Sequence, residues 1–179
     1  MICIYFIGGS HFTRHITRPN TWITYFKKQG YIIKNASIAE LDILLDECSG
    51  FIDNCHNKFI NPIVGVIGVS SGGYFALRLK KKLSKLHFCV GIAPIVNPIL
   101  RSTIVMSPKI IRATPNVRKI YNKIDNNTLI IVGENDIQAP LSMYNDYDIH
   151  NMVIVNNLGH DITDGTYSIV YQEIQIFLK

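Results

Sequence analysis

Along the chain, short unbroken apolar runs alternate with segments whose apolar positions recur at helical spacing. ICIYFI (2–7) suits a strand buried on both faces, and YIIKNA (31–36), IVGVIGV (63–69), HFCVGIAPI (87–95), TLIIVG (128–133) and MVIVNN (152–157) read as five more strands, nearly all of them apolar runs and not alternating patterns. PNTWITYFKKQG (19–30) predicts a helix capped by Asn20 or Thr21 and stopped by Gly30. Ser37 opens a capping box with Glu40, and Leu41, Leu44, Leu45, Cys48 and Ile52 follow on one helical face. A third helix is predicted from Ser71 to about Lys85, and a fourth begins near Pro140. The last carries Val170, Ile174, Phe177 and Leu178 on one side.

Strand and helix alternate throughout, which predicts a three-layer α/β sandwich: a six-stranded, mostly parallel sheet with helices on both faces. No internal repeat or linker interrupts residues 1–179, so the expectation is a single domain. Residues 97–127 contain Pro98, Pro108 and Pro115 and no clean period, and read as a short, irregular, cap-like segment.

Composition narrows the picture. Apolar residues make up 47% and charged residues 17%, the balance of a core-rich globular chain. The formal charge is +5, but the basic residues are scattered and form no aromatic-interleaved stripe, so no nucleic-acid partner is expected. The densest cluster, RLKKKLSK (78–85), reads as a solvated helix end whose cations suit the C-terminal dipole. Cys3, Cys48, Cys55 and Cys89 show no CxxC spacing, and Cys48 and Cys55 share one helix face as packing residues. No apolar run is long enough to span a membrane, and MICIYFIGG lacks the features of a secretory leader. A reducing, cytoplasmic location is the expectation. No His, Cys or Asp set has metal-ligand spacing, and neither a metal nor a cofactor is expected.

In open α/β sheets, functional groups collect beyond the carboxyl ends of the strands. The loops there are Gly8-Gly9-Ser10-His11, Ser70-Ser71-Gly72, Gly133-Glu134-Asn135-Asp136 and Leu158-Gly159-His160-Asp161. Gly68-Val69-Ser70-Ser71-Gly72 fits G-x-S-x-G between a strand and a helix, where the glycines clear space for a serine in a strained turn. Ser71 lacks that pattern, having Val69 and Gly73 two residues away. A serine hydroxyl needs a base to take its proton and an acid to orient the base. His160 and Asp136 stand in the right loops for these roles. Asp161, beside His160, competes with Asp136 but is better placed to cap the last helix. The backbone N–H groups of Gly9 and Ser71 are the natural pair to meet an oxyanion.

At these residues the sequence resembles the α/β-hydrolase superfamily, whose order is nucleophile, acid, histidine. GVSSGG matches its nucleophile motif, IIVGENDIQAP (130–140) its acid segment, NNLGHD (156–161) its histidine loop and FIGGS (6–10) its oxyanion loop. The resemblance runs from residue 2 to about 178. It implies a minimal fold lacking the family's first two strands, similar to the retinoblastoma-binding-protein-like serine hydrolases and small acyl esterases. Where that oxyanion loop often reads His-Gly, this chain has Ile7-Gly8.

The expected function is a serine hydrolase cleaving a small-molecule carboxylic ester or thioester through an acyl-enzyme on Ser70. The alternative is a catalytically degenerate hydrolase acting as a binding or scaffold protein. His11 and Met106 are candidate substrate contacts, Met106 together with Ile104 and Ile110 as an apolar wall. A solvent-facing role for His11 and ordinary helix packing for the apolar trio remain open.

Overall fold

The computed structural model describes residues 1–9, 18–36, 38–96, 123–160, 162 and 164–179. Strands β1 (Ile2–Ile7), β2 (Ile32–Ala36), β3 (Ile63–Val69), β4 (Phe88–Ile92), β5 (Lys123–Gly133) and β6 (Asp148–Val155) form one sheet in the order β2-β1-β3-β4-β5-β6. Every neighbouring pair in it is parallel. Helices α1 (Arg18–Lys28), α2 (Leu41–Lys58), α3 (Ser71–Lys82) and α4 (Asp164–Phe177) cover it.

The chain steps from β1 to β2 in one direction, then crosses back to β3 and continues the other way. Right-handed crossovers put helices on opposite faces when the direction reverses. That is the arrangement found: α1 and α4 share one core, with Trp22, Phe26, Val170 and Ile174 buried together, while Leu44, Cys48, Phe75 and Leu79 of α2 and α3 lie in the other. Strand residues divide between the two cores by the period of the pleat: Cys3, Tyr5 and Ile7 face α2 and α3, and Ile4 and Phe6 face α1 and α4. Cys48 and Cys55 are buried packing residues, and all four cysteines are free thiols. Burial pushes the Cys48 and Cys55 thiols up to about 12, which keeps them protonated and unreactive.

Several boundaries differ from the sequence expectation. Ser37 lies outside the described residues, and α2 instead begins after Glu40, which caps it without a side-chain hydrogen bond. The helix expected near Pro140 is a single 3-10 turn, Leu141–Tyr144. Only four residues separate Pro140 from Asn145, and Tyr144 and Tyr147 are already turned into the core there. β5 starts at Lys123, so 123–127 belong to the sheet and not to the irregular segment; the remainder of that segment, 97–122, lies outside the described residues. The polar DNNT stretch hides this part of the strand because it forms the bulge between Ile124 and Leu129 in the pairing with β6. β6 correspondingly begins at Asp148, earlier than its apolar run, and ends at Val155.

Candidate active site

The reversal of strand order falls between β1 and β3, where connections leave in opposite directions and open a crevice. Ser70 sits at that point, directly after β3 and before α3. Its φ of 55° and ψ of −119° are a conformation that side-chain-bearing residues avoid. Neighbouring backbone holds it there. Ser70 N–H donates to the Ile92 carbonyl (2.8 Å), and its own carbonyl accepts from Gly73 and Ile95 N–H at 3.0 and 3.3 Å.

The flanking glycines are required by close approach. A Cβ on Gly68 would overlap the Gly72 carbonyl, and one on Gly72 would overlap the Ile7 carbonyl. Gly73 is confined from two sides: a Cβ on it would come 2.7 Å from the Pro94 ring, in the loop after β4, and 3.3 Å from the Gly68 carbonyl oxygen of β3. Gly9 lies beside the serine, since a Cβ on it would be 3.1 Å from Ser70 Cβ and 3.7 Å from Ser70 Oγ.

Ser70 Oγ is 2.8 Å from His160 Nε2. On the other side of the ring, His160 Nδ1 is 2.8 Å from Asp136 Oδ2 and 3.0 Å from Oδ1. The His160 side chain is 7% exposed and that of Asp136 is fully buried. Asp136 Oδ1 also accepts the N–H groups of Gln138 and Ala139, each at 2.8 Å. Burial pushes the Asp136 carboxyl up, but the His160 hydrogen bond and charge and the two backbone donors outweigh it, leaving the group below the ordinary carboxylate range. A charged carboxylate can only accept, so Nδ1 carries the proton. With Nδ1 the protonated nitrogen, Nε2 is the one that faces the serine hydroxyl and can accept its proton.

The acid and histidine loops are tied to each other. Glu134 N–H donates to the Val155 carbonyl and Asn135 N–H to the Leu158 carbonyl, both at 3.0 Å. Ser70, Asp136 and His160 are therefore brought together, with Gly9 beside Ser70 and Ser71, the first residue of α3, following it in the chain. His11, Met106 and Asp161 lie outside the described residues. Among the described residues, no group of three or more His, Cys, Asp or Glu side chains could hold a metal ion.

A family model described as "Serine hydrolase (FSH1)" matches residues 11–162, most of the chain. The chain belongs to that family. This FSH1-family member is a serine hydrolase, and its sheet is shared by solved structures of low sequence identity. Est1E from Butyrivibrio proteoclasticus is 13% identical with a TM-score of 0.66, covering 99% of this chain and 86% of its own. The esterase domain of a Rhodothermus marinus protein is 12% identical at a TM-score of 0.67, covering 97% and 83%. The α/β hydrolase GrgF from Penicillium sp. sh18 is 12% identical at 0.66, covering 98% and 88%. At such identities the likeness establishes the α/β-hydrolase fold. No curated protein matches the FSH1-family chain in sequence.

One stretch beside the site differs from the sequence expectation: residues 93–95, expected as the end of the fourth strand, lie in a loop, 93–96, because β4 ends at Ile92. Its Ala93 has a φ of 45°, and its Pro94 and Val96 carbonyls accept the hydroxyls of Tyr144 and Tyr147. No motif marks it. An alanine at positive φ is invisible in a sequence, and two tyrosines in a turn carry no spacing rule.

Proposed function

We propose that the protein hydrolyses a small carboxylic ester or thioester through an acyl-enzyme on Ser70. The observation that carries this reading is the continuous path from Ser70 Oγ through the His160 ring to a buried, charged Asp136, with 2.8 Å at each end of the ring. In the first step Ser70 Oγ attacks the substrate carbonyl while its proton passes to His160 Nε2. The backbone N–H groups of Gly9 and Ser71 are assigned to the oxyanion that forms, because both residues adjoin Ser70 and one begins α3. Collapse breaks the bond to the leaving oxygen or sulfur, which takes the proton from Nε2 and departs as an alcohol or thiol. Water then attacks the acyl-enzyme, giving one proton to Nε2. The second collapse releases the carboxylic acid, and the Nε2 proton returns to Ser70 Oγ. Asp136 keeps its charge throughout and holds the tautomer.

Intact Ser70, His160 and Asp136 in mutual reach support hydrolysis over a scaffold role. A cytoplasmic location is proposed on the four free, buried thiols, which suit a reducing compartment. No helix among the described residues is long and apolar enough to cross a membrane. The test is a panel of p-nitrophenyl esters and acyl thioesters of rising chain length, with Ser70→Ala as control. Turnover that Ser70→Ala abolishes supports the reading, and turnover that survives the substitution refutes it.

A further inference from the structure

The acid and histidine loops are hydrogen-bonded to each other, whereas the nucleophile stands on a different element. An imidazole is rigid, so Ser70 and Asp136 can both meet it at only one separation. The sheet sets most of that separation, since Ser70 N–H donates to the Ile92 carbonyl of β4 and Ala93 N–H to the Ile131 carbonyl of β5. Contacts beyond the strand ends set the rest.

The loop 93–96 is built to do so. On one side it grips the Ser70 turn: Ile95 N–H donates to the Ser70 carbonyl at 3.3 Å, and Pro94 packs against Gly73. On the other side it is gripped by the turn that follows the acid. Tyr144, 3% exposed, donates its hydroxyl to the Pro94 carbonyl at 2.7 Å. Tyr147 donates to the Val96 carbonyl at 3.0 Å. Tyr144 is linked to Asp136 through a short, well-bonded stretch, in which Asp136 Oδ1 caps Gln138 and Ala139 and the Pro140 carbonyl accepts Met143 N–H at 2.8 Å. A bonded route thus runs from Asp136 through Tyr144, Pro94 and Ile95 to Ser70 without passing through His160.

We propose that Tyr144 is a positioning residue: its hydroxyl, bonded to the Pro94 carbonyl, sets the distance between the Ser70 turn and the Asp136 loop. The inference rests on the hydrolase reading of Ser70, His160 and Asp136. Burial, then the charge of Asp136, pushes the Tyr144 phenol well above its ordinary range, so it remains a protonated donor and not an acid in the reaction. Tyr147 serves as the internal comparison, since it holds the same loop farther from the Ile95–Ser70 bond.

Tyr144→Phe removes one oxygen and no packing volume. It also leaves the Pro94 carbonyl a partner, since Val96 N–H donates to it at 3.0 Å. The expected result is a fall in kcat for p-nitrophenyl acetate of about ten- to a hundredfold, with KM within about twofold of wild type. A crystal structure of the variant should show Ser70 Oγ out of hydrogen-bond reach of His160 Nε2. Tyr147→Phe, with a similar loss in melting temperature, should keep kcat within about twofold. An unchanged kcat with the Oγ–Nε2 bond intact in Tyr144→Phe overturns the proposal, as do equal kcat losses in the two variants. If the wild type turns over no ester or thioester, the hydrolase reading fails, and the Oγ–Nε2 separation in the Tyr144→Phe structure still decides the positioning role.

Discussion

Gly133, the last residue of β5, lies so close to Leu158 that a Cβ on it would overlap the Leu158 carbonyl oxygen. This contact is what lets the acid loop zip to the histidine loop. Gly133→Ala must therefore push the loops apart, because a backbone carbonyl cannot swing away as a flexible side chain can. The expected cost is about 1–3 kcal/mol of stability, as for other overpacked sites, read from urea denaturation. Activity should fall with it, since His160 and Asp136 are on the two loops that separate. A variant of wild-type stability would contradict the close approach.

Ser70 carries backbone strain that its side chain does not require. At a φ of 55° any residue with a Cβ is disfavoured and glycine is not. Ser70→Gly should accordingly be more stable than Ser70→Ala by about 1 kcal/mol, although both lack the hydroxyl. Thermal melts of the two variants make the comparison. Equal melting temperatures would mean that the turn stores no strain.

Asp136 makes a pH prediction whose sign can be worked out. Its folded pKa lies below the unfolded value of about 3.9, so between the two the unfolded chain binds more protons. The stabilisation is present in full above the unfolded pKa and is lost as pH falls through the folded one. Asp125 behaves likewise: burial pushes it up, but Thr128, Lys80 and Asn127 N–H together bring it below the ordinary range. Wild type should then be more stable than Asp136→Asn at neutral pH, with the gap closing below about pH 4. Urea midpoints across pH 2–7 test this, and a gap independent of pH would contradict it. At neutral pH, Asp136→Asn should also lose about 10³–10⁴-fold in kcat, because an amide no longer fixes the His160 tautomer.

The α1 and α4 face depends on one large side chain. Trp22 is 1% exposed, with its ring 4.6 Å from that of Tyr171 and 6.2 Å from that of Phe6, so it joins α1 to α4 and to β1. Trp22→Ala should cost about 3–5 kcal/mol, measured by urea denaturation. A cost near zero would mean that the cavity collapses or that α1 packs without it.

The strands and the order of functional loops were legible because they depend on local signals. IVGVIGV matches β3 residue for residue, and G-x-S-x-G, the aspartate and the histidine follow the strands expected of them. What was not legible depends on tertiary partners. The polar DNNT stretch is strand only because β6 pairs across its bulge, and the segment after Pro140 is a turn because Tyr144 and Tyr147 reach carbonyls about fifty residues earlier.

The central claim is that Ser70 is a nucleophile activated by His160. Mass spectrometry of the wild-type protein after treatment with a fluorophosphonate probe tests it most directly. A single phosphonyl adduct should form on the peptide carrying Ser70, none should form on Ser70→Ala, and adduct formation should slow sharply in His160→Ala. A folded wild-type protein that leaves Ser70 unmodified, or one that modifies equally fast without His160, would contradict it.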